Sequence, residues 1–175
     1  MQNIEIKARM KDINKLRSKV LDLNPRYIGI DQQTDTYFNT LKGRLKLRES
    51  SLSGPYLIPY LRNDQSGPKS SVYQKIHVPN PQDVKYLLCE LLGCRVTVIK
   101  SREIFLLDNI RIHLDRVDRL GQFVEFEAVM DSNGRDEDAE AKKLTDLMNQ
   151  LGIEQNDLIS VSYENLIQDL DEGEN

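Results

Sequence analysis

The chain has 175 residues, 39% of them hydrophobic and 30% charged, with a formal net charge of −4. That length suits one domain burying about 70% of its unfolded surface, and the acidic balance argues against nucleic-acid binding, where a basic surface field is expected. No stretch approaches the ~20 apolar residues of a membrane span, and strand-like sequence begins at Gln2 without a cleavable signal pattern, so a cytoplasmic location and no membrane partner are expected.

Residues 2–9 alternate in character, predicting a strand with Asn3, Glu5, Lys7 and Arg9 on one face and Ile4, Ile6 and Ala8 on the other. Ile13, Leu16, Val20 and Leu23 then keep helical spacing between Asp12, a suitable N-cap, and Pro25. Strands are predicted at 33–38, 43–49, 56–62 and 72–78, with turns at 41–43, 53–55 and 63–69. Asn80 as cap and Pro81 at the first helical position open a Leu-rich helix that runs to Gly93. Three more strands follow, at 95–106, 109–116 and 122–129, then helices at 136–151 and near 162–170. Residues 1–170 read as one domain and 171–175 as an acidic tail. Cys89 and Cys94 have no second Cys pair or His nearby to complete a zinc site, and are expected to be two reduced thiols.

Eight or so strands with a few helices could make an open sheet whose charged face looks at water. An α+β fold is favoured instead: a closed eight-stranded antiparallel β-barrel with helices packed on the outside, because such a closure leaves room for one small ligand. The interior would then be polar. Sorting by parity puts Arg44, Lys46 and Arg48 on one face, and adds Arg62, Lys75, Lys100, Arg102, Arg111, His113, Asp115, Glu125 and Glu127 at spacings of two. Bases outnumber acids on these faces, and a low-dielectric interior does not hold such a surplus without counter-charge.

A triphosphate carries about four negative charges near neutral pH. Arg suits bidentate contact with its oxygens and Lys serves as a point charge. The carboxylates would repel the same ligand, so they need another task. Glu125 and Glu127 project to one face about 7 Å apart along a strand, with Glu5 as a partner across the barrel, and hard oxygen donors beside phosphate suit Mg²⁺. In the alternative, Glu125 and Glu127 only neutralise Arg44 or Arg111. His113 reads as a hydrogen-bonding strand residue, and Tyr37, Tyr60 and Tyr73 as packing or phosphate-contacting groups.

The segments Asn3–Arg9, Asp35–Phe38, Gly43–Glu49, Gly67–Lys69, Arg111–Val117 and Leu120–Glu127, in that order, resemble the CYTH superfamily of triphosphate tunnel metalloenzymes, especially its class IV adenylyl cyclase-like branch. The resemblance spans nearly the whole chain. It implies an eight-stranded tunnel binding a triphosphate with Mg²⁺ or Mn²⁺, in a family of thiamine, inorganic and RNA triphosphatases and adenylyl cyclases. By resemblance the metal ligands are Glu5, Glu125 and Glu127, and the substrate-binding bases are Lys7, Arg9, Arg44, Lys46, Arg48, Lys75, Arg102 and Arg111. Lys7, Arg48 and Lys75 are assigned the catalytic task of stabilising charge on the transferring group. The family signature Glu-x-Glu-x-Lys departs at its first acid, where this chain has Asn3; an amide oxygen can ligate Mg²⁺ but brings no charge.

The expected activity is metal-dependent cleavage of a small-molecule triphosphate, with hydrolysis ahead of cyclisation to cyclic AMP and pyrophosphate. A catalytically silent triphosphate sensor is a rival from another class. A carrier of apolar ligands conflicts with the charged interior. A homodimer is left open.

Overall fold

A computed structural model describes residues 2–62, 67–130 and 136–173. The described elements are β1 (Gln2–Met10), α1 (Ile13–Asp22), β2 (Arg26–Phe38), β3 (Arg44–Ser50), β4 (Tyr56–Arg62), β5 (Lys69–Tyr73), β6 (Ile76–His77), α2 (Pro81–Leu92), β7 (Cys94–Leu107), β8 (Ile110–Val117), β9 (Gly121–Met130), α3 (Glu137–Leu151), a 3₁₀ turn (Gln155–Asp157) and α4 (Tyr163–Gly173). The strands lie in the order β3-β2-β7-β8-β9-β1-β5-β4, and pairing of β3 with β4 closes an eight-stranded antiparallel barrel. The short β6 lies against the start of β4, where Leu57 faces Ile76.

Alternation along the strands sorts the two sides of this wall. Outside β1, β8 and β9, Ile4, Ile6, Ile112, Leu114, Val124 and Phe126 pack under α1, through Ile13, Leu16 and Val20, and under α3, through Leu144, Leu147, Met148 and Leu151. A smaller outer cluster of Phe38, Leu47 and Val78 lies beneath Val84 and Leu88 of α2. A third cluster lies at one end of the barrel itself, where Tyr163 and Ile167 of α4 pack on Tyr37, Val96, Val98 and Phe123. That plug makes the tunnel blind at one end.

The helix signals act as expected at α1, where Asp12 accepts from the backbone N–H groups of Asn14 and Lys15. Asn80 occupies the N-cap of α2 without a side-chain cap bond, so Pro81 carries that start. β2 is far longer than the predicted 33–38, because a register shift between Tyr27 and Gly29 interrupts the alternation that would reveal its first half. The predicted strand 72–78 divides into β5 and β6, and residues 63–66 of the predicted turn lie outside the described set. Helix α4 continues to Gly173, which makes Asp171 and Glu172 helical.

One expectation is corrected. Cys89 and Cys94 form a disulfide rather than two reduced thiols. Gly93, with φ +79°, ends α2 and turns the chain directly into β7, bringing the two Cα atoms to 4.7 Å. The left-handed φ at Gly93 strains any residue with a side chain, so the turn favours glycine.

Candidate functional site

The barrel encloses a cavity of about 710 Å³. Among the described residues, nine Lys and Arg but only four Asp and Glu line it. Adding Asp35 and Asp115, which bond to the lining bases, still leaves the bases three ahead. A chain that is acidic overall therefore surrounds a basic interior.

Asp35 on β2 is the hub of the deep part. It is fully buried and accepts from Arg48 Nε and Nη2 at 2.6 Å each, from Lys46 Nζ at 3.0 Å and from Lys100 Nζ at 3.1 Å. Against burial, which raises it, the charges of Arg48, Lys100 and Lys46 hold its carboxyl well below the usual range. The lysine pKa values fall as well, which for a base disfavours the charged form. Burial, reinforced by the Arg48 guanidinium, lowers Lys46 to about 7, and burial lowers Lys100 to about 8 despite the opposing charge of Asp35. One carboxylate thus shares three bases, a set short of anions.

Beside it, Arg102 forms a two-pronged pair with Asp115 at 2.6 and 2.7 Å and reaches Glu125 at 3.2 Å. Tyr163 donates its hydroxyl to the same Asp115 at 2.8 Å, and Lys7 Nζ lies 3.9 Å from the centre of the Tyr163 ring while bonding Glu125 at 2.9 Å. His113 Nδ1 is 3.2 Å from Glu125 and its Nε2 is 4.0 Å from Glu127. Burial, helped by the charge of Arg102, lowers the His113 pKa below its ordinary value, which keeps the ring neutral near pH 7.

Nearer the open end, β1 and β9 set Glu5 directly opposite Glu127. Such a like-charged pair is unfavourable without a cation between the carboxylates. Arg62 holds Glu5 at 2.6 Å, Arg111 holds Glu127 at 3.3 Å, and Asn3 donates its amide to Glu127. That donation turns Asn3 Oδ1 away, buried and with no partner. Two carboxylates and an orphaned carbonyl oxygen are a donor set that fits a hard divalent ion. As they stand, no group of three His, Cys, Asp or Glu side chains among the described residues is drawn together for ligation. Of Glu5, Glu125 and Glu127, Glu125 has the most basic partners, Lys7, Arg102 and His113.

Of the sequence-derived site residues, Glu5, Lys7, Lys46, Arg48, Lys75, Arg102, Arg111, Glu125 and Glu127 all line the cavity. Lys75 is exposed at the mouth, between β5 and β6. Arg9 and Arg44 do not line it. Arg9 is exposed near the plugged end, donating to Leu120 O at 2.9 Å over the Phe123 ring, and Arg44 reaches Glu164 of α4 at 3.4 Å. Asp35 and Tyr163 were not assigned from sequence. The run Asp31-x-Gln33-x-Asp35-x-Tyr37 carried a period-two signal for Asp35, but Tyr163 reaches the site only through the docking of α4.

No helix among the described residues is long and apolar enough to cross a membrane. A CYTH domain family model matches residues 1–163. A Methanocaldococcus jannaschii protein described as a "putative adenylate cyclase" is 26% identical over 176 residues, covering 93% of this chain and 97% of that protein. Among solved structures, the PH1012 protein of Pyrococcus horikoshii OT3 is similar with a TM-score of 0.81 at 23% identity, covering 94% of this chain and 98% of that one. A Hippeastrum protein, described as a "putative adenylyl cyclase" with a dominant triphosphatase activity, has a TM-score of 0.62 at 14% identity, covering 97% and 96%. These two are likenesses of fold. The family match runs from β1 through the whole barrel to the first residue of its plug, and the chain belongs to the CYTH domain family.

Proposed function

We propose that the tunnel binds a triphosphate with its phosphate end toward the Asp35 cluster and cleaves a phosphoanhydride bond, by hydrolysis in the first instance. The observation that carries this is the excess of buried base. Lys46, Arg48 and Lys100 share one carboxylate, and Arg102 and Lys7 stand beside them. An entering polyphosphate supplies the anions that this cluster lacks, among charges already fixed in place.

Glu5, Glu127 and Asn3 Oδ1 are the residues that would hold Mg²⁺ or Mn²⁺, which supplies Lewis-acid polarisation of phosphoryl oxygens and neutralises charge. The chain's own bases do the rest. Arg48 and Arg102 have paired N–H groups for equatorial oxygens, and Lys46 and Lys100 are point charges for the charge that grows on the transferring group. Lys7, held between Glu125 and the Tyr163 ring, adds a third lysine at a fixed place. Lys75 at the mouth attracts the incoming anion. Hydrolysis needs a water in line with the terminal phosphorus, whereas cyclisation instead needs a ribose hydroxyl held in line with the first phosphorus, with pyrophosphate as the leaving group.

Cyclisation of ATP is the second reading, supported by the description of the 26% identical relative as an adenylate cyclase. Incubation with ATP, thiamine triphosphate and tripolyphosphate, with Mg²⁺ and again with Mn²⁺, tests both. Orthophosphate release is the expected outcome, and cyclic AMP with pyrophosphate would favour the cyclase. If nothing turns over with either metal while a triphosphate still raises the melting temperature, the protein is a sensor and the enzyme assignment fails.

A further inference from the structure

The open end of the tunnel is lined unlike the rest. Ile28 and Leu52 line it while 44% and 52% exposed, and with Ile104 and Tyr56 they give the wall around β2 and β7 an apolar rim. This rim faces β1, four places away from β2 in the eight-stranded ring, where Asn3 and Glu5 are. Apolar side chains left in water at the mouth of a cationic cavity mark a binding surface, and a bare polyphosphate makes no use of one.

The rim is also held in place. Asp31, only 3% exposed, accepts from Ser50 Oγ at 2.8 Å, Ser51 Oγ at 3.1 Å and Leu52 N at 3.1 Å, which fastens the β3–β4 turn that carries Leu52. It also accepts from Gln33 Nε2 at 2.7 Å. A carboxylate only accepts, so the Gln33 amide must turn its NH₂ group to Asp31. Gln33 Oε1 is left buried with no partner, on a cavity-lining side chain that is 5% exposed. An unsatisfied buried acceptor is destabilising, and a donor on a ligand would relieve it. Gln33 is one inward position above Asp35, about 7 Å by the strand rise, so that donor belongs to the group next to the phosphates.

We infer that the open end is a subsite for an organic group on the triphosphate, in which Gln33 accepts an N–H or O–H and Leu52, Ile28 and Ile104 cover an apolar ring face, so that the ligand is a ring-bearing organic triphosphate rather than inorganic tripolyphosphate. The inference rests on the triphosphate assignment above. Calorimetric titration with ATP, thiamine triphosphate and tripolyphosphate, in EDTA and again with Ca²⁺, tests it. At least one organic triphosphate is expected to bind about tenfold or more tightly than tripolyphosphate, the worth of burying roughly 60 Å² of apolar surface. Gln33→Leu is expected to weaken that ligand about fivefold and leave tripolyphosphate unchanged. Leu52→Asn, at an exposed turn position, is expected to act in the same direction without loss of fold. If tripolyphosphate binds as tightly as both organic ligands, or if Gln33→Leu weakens all of them equally, the subsite is overturned and the triphosphate tunnel stands. If none of the three binds in either medium, both fall.

Discussion

Asn3 is where this chain leaves the acidic pattern of its family, and its neighbours define the effect. Its amide donates to Glu127, which faces Glu5 across the β1–β9 pair, so the amide relieves a repulsion that an acid would deepen. Asn3→Asp is expected to destabilise the metal-free protein by about 1–3 kcal/mol, because a third carboxylate would then be confined beside two others. It is also expected to bind Mn²⁺ more tightly, so the gain in melting temperature on adding Mn²⁺ exceeds that of the wild type. Thermal unfolding in EDTA and in Mn²⁺, with calorimetry of Mn²⁺ binding, checks both signs; unchanged Mn²⁺ affinity would remove Asn3 from the ion cluster. Asn3, Glu5 and Lys7 were legible from alternation in β1, whereas Arg9, at the same parity, is near the plugged end beside Phe123. Parity assigns a side of the wall and carries no information about depth.

Among the elements, α4 decides how the tunnel ends. Its apolar spacing predicted a helix, and only packing shows that Tyr163 enters the barrel end rather than covering the outer wall. The Tyr163 hydroxyl is one of the donors that hold Asp115, and Asp115 in turn orients Arg102. Tyr163→Phe keeps the ring under Lys7 but deletes that bond. The expected loss is about 1–2 kcal/mol in chemical denaturation, with weaker triphosphate binding as Arg102 loses its alignment. A variant of unchanged stability and affinity would show that Arg102 and Asp115 need no support from the plug. The bulge in β2 and the Cys89–Cys94 bridge escaped prediction for a related reason. Both depend on where a chain reversal or register shift places backbone in space, and local composition does not encode that.

For the molecule as a whole, the basic interior of an acidic chain links stability and binding to pH in opposite senses. Burial, with Arg48, lowers Lys46 to about 7, and burial lowers Lys69 and Lys100 to about 8, all below the 10.5 of an exposed lysine. Between about 7 and 10 the unfolded chain therefore holds more protons on these groups than the folded one, so the ligand-free protein gains stability as pH rises through that window. Tyr37, Tyr60 and Tyr163, raised by burial above 10, reverse the trend only beyond it. A melting temperature higher at pH 9 than at pH 7 is expected, together with triphosphate affinity that falls over the same range and proton uptake on binding at pH 8. A melting temperature that instead falls would mean that the acids hold these lysines more firmly than burial disfavours them. The sequence by itself determined most of the strands and helices, the sorting of apolar from charged faces and the surplus of inward base, since period two and helical spacing are local properties of the chain. Only the tertiary structure decided which bases share Asp35, which arginines stand clear of the cavity, that Glu5 faces Glu127 and that α4 closes the tunnel, because those relations depend on register and on contacts between residues far apart in the chain.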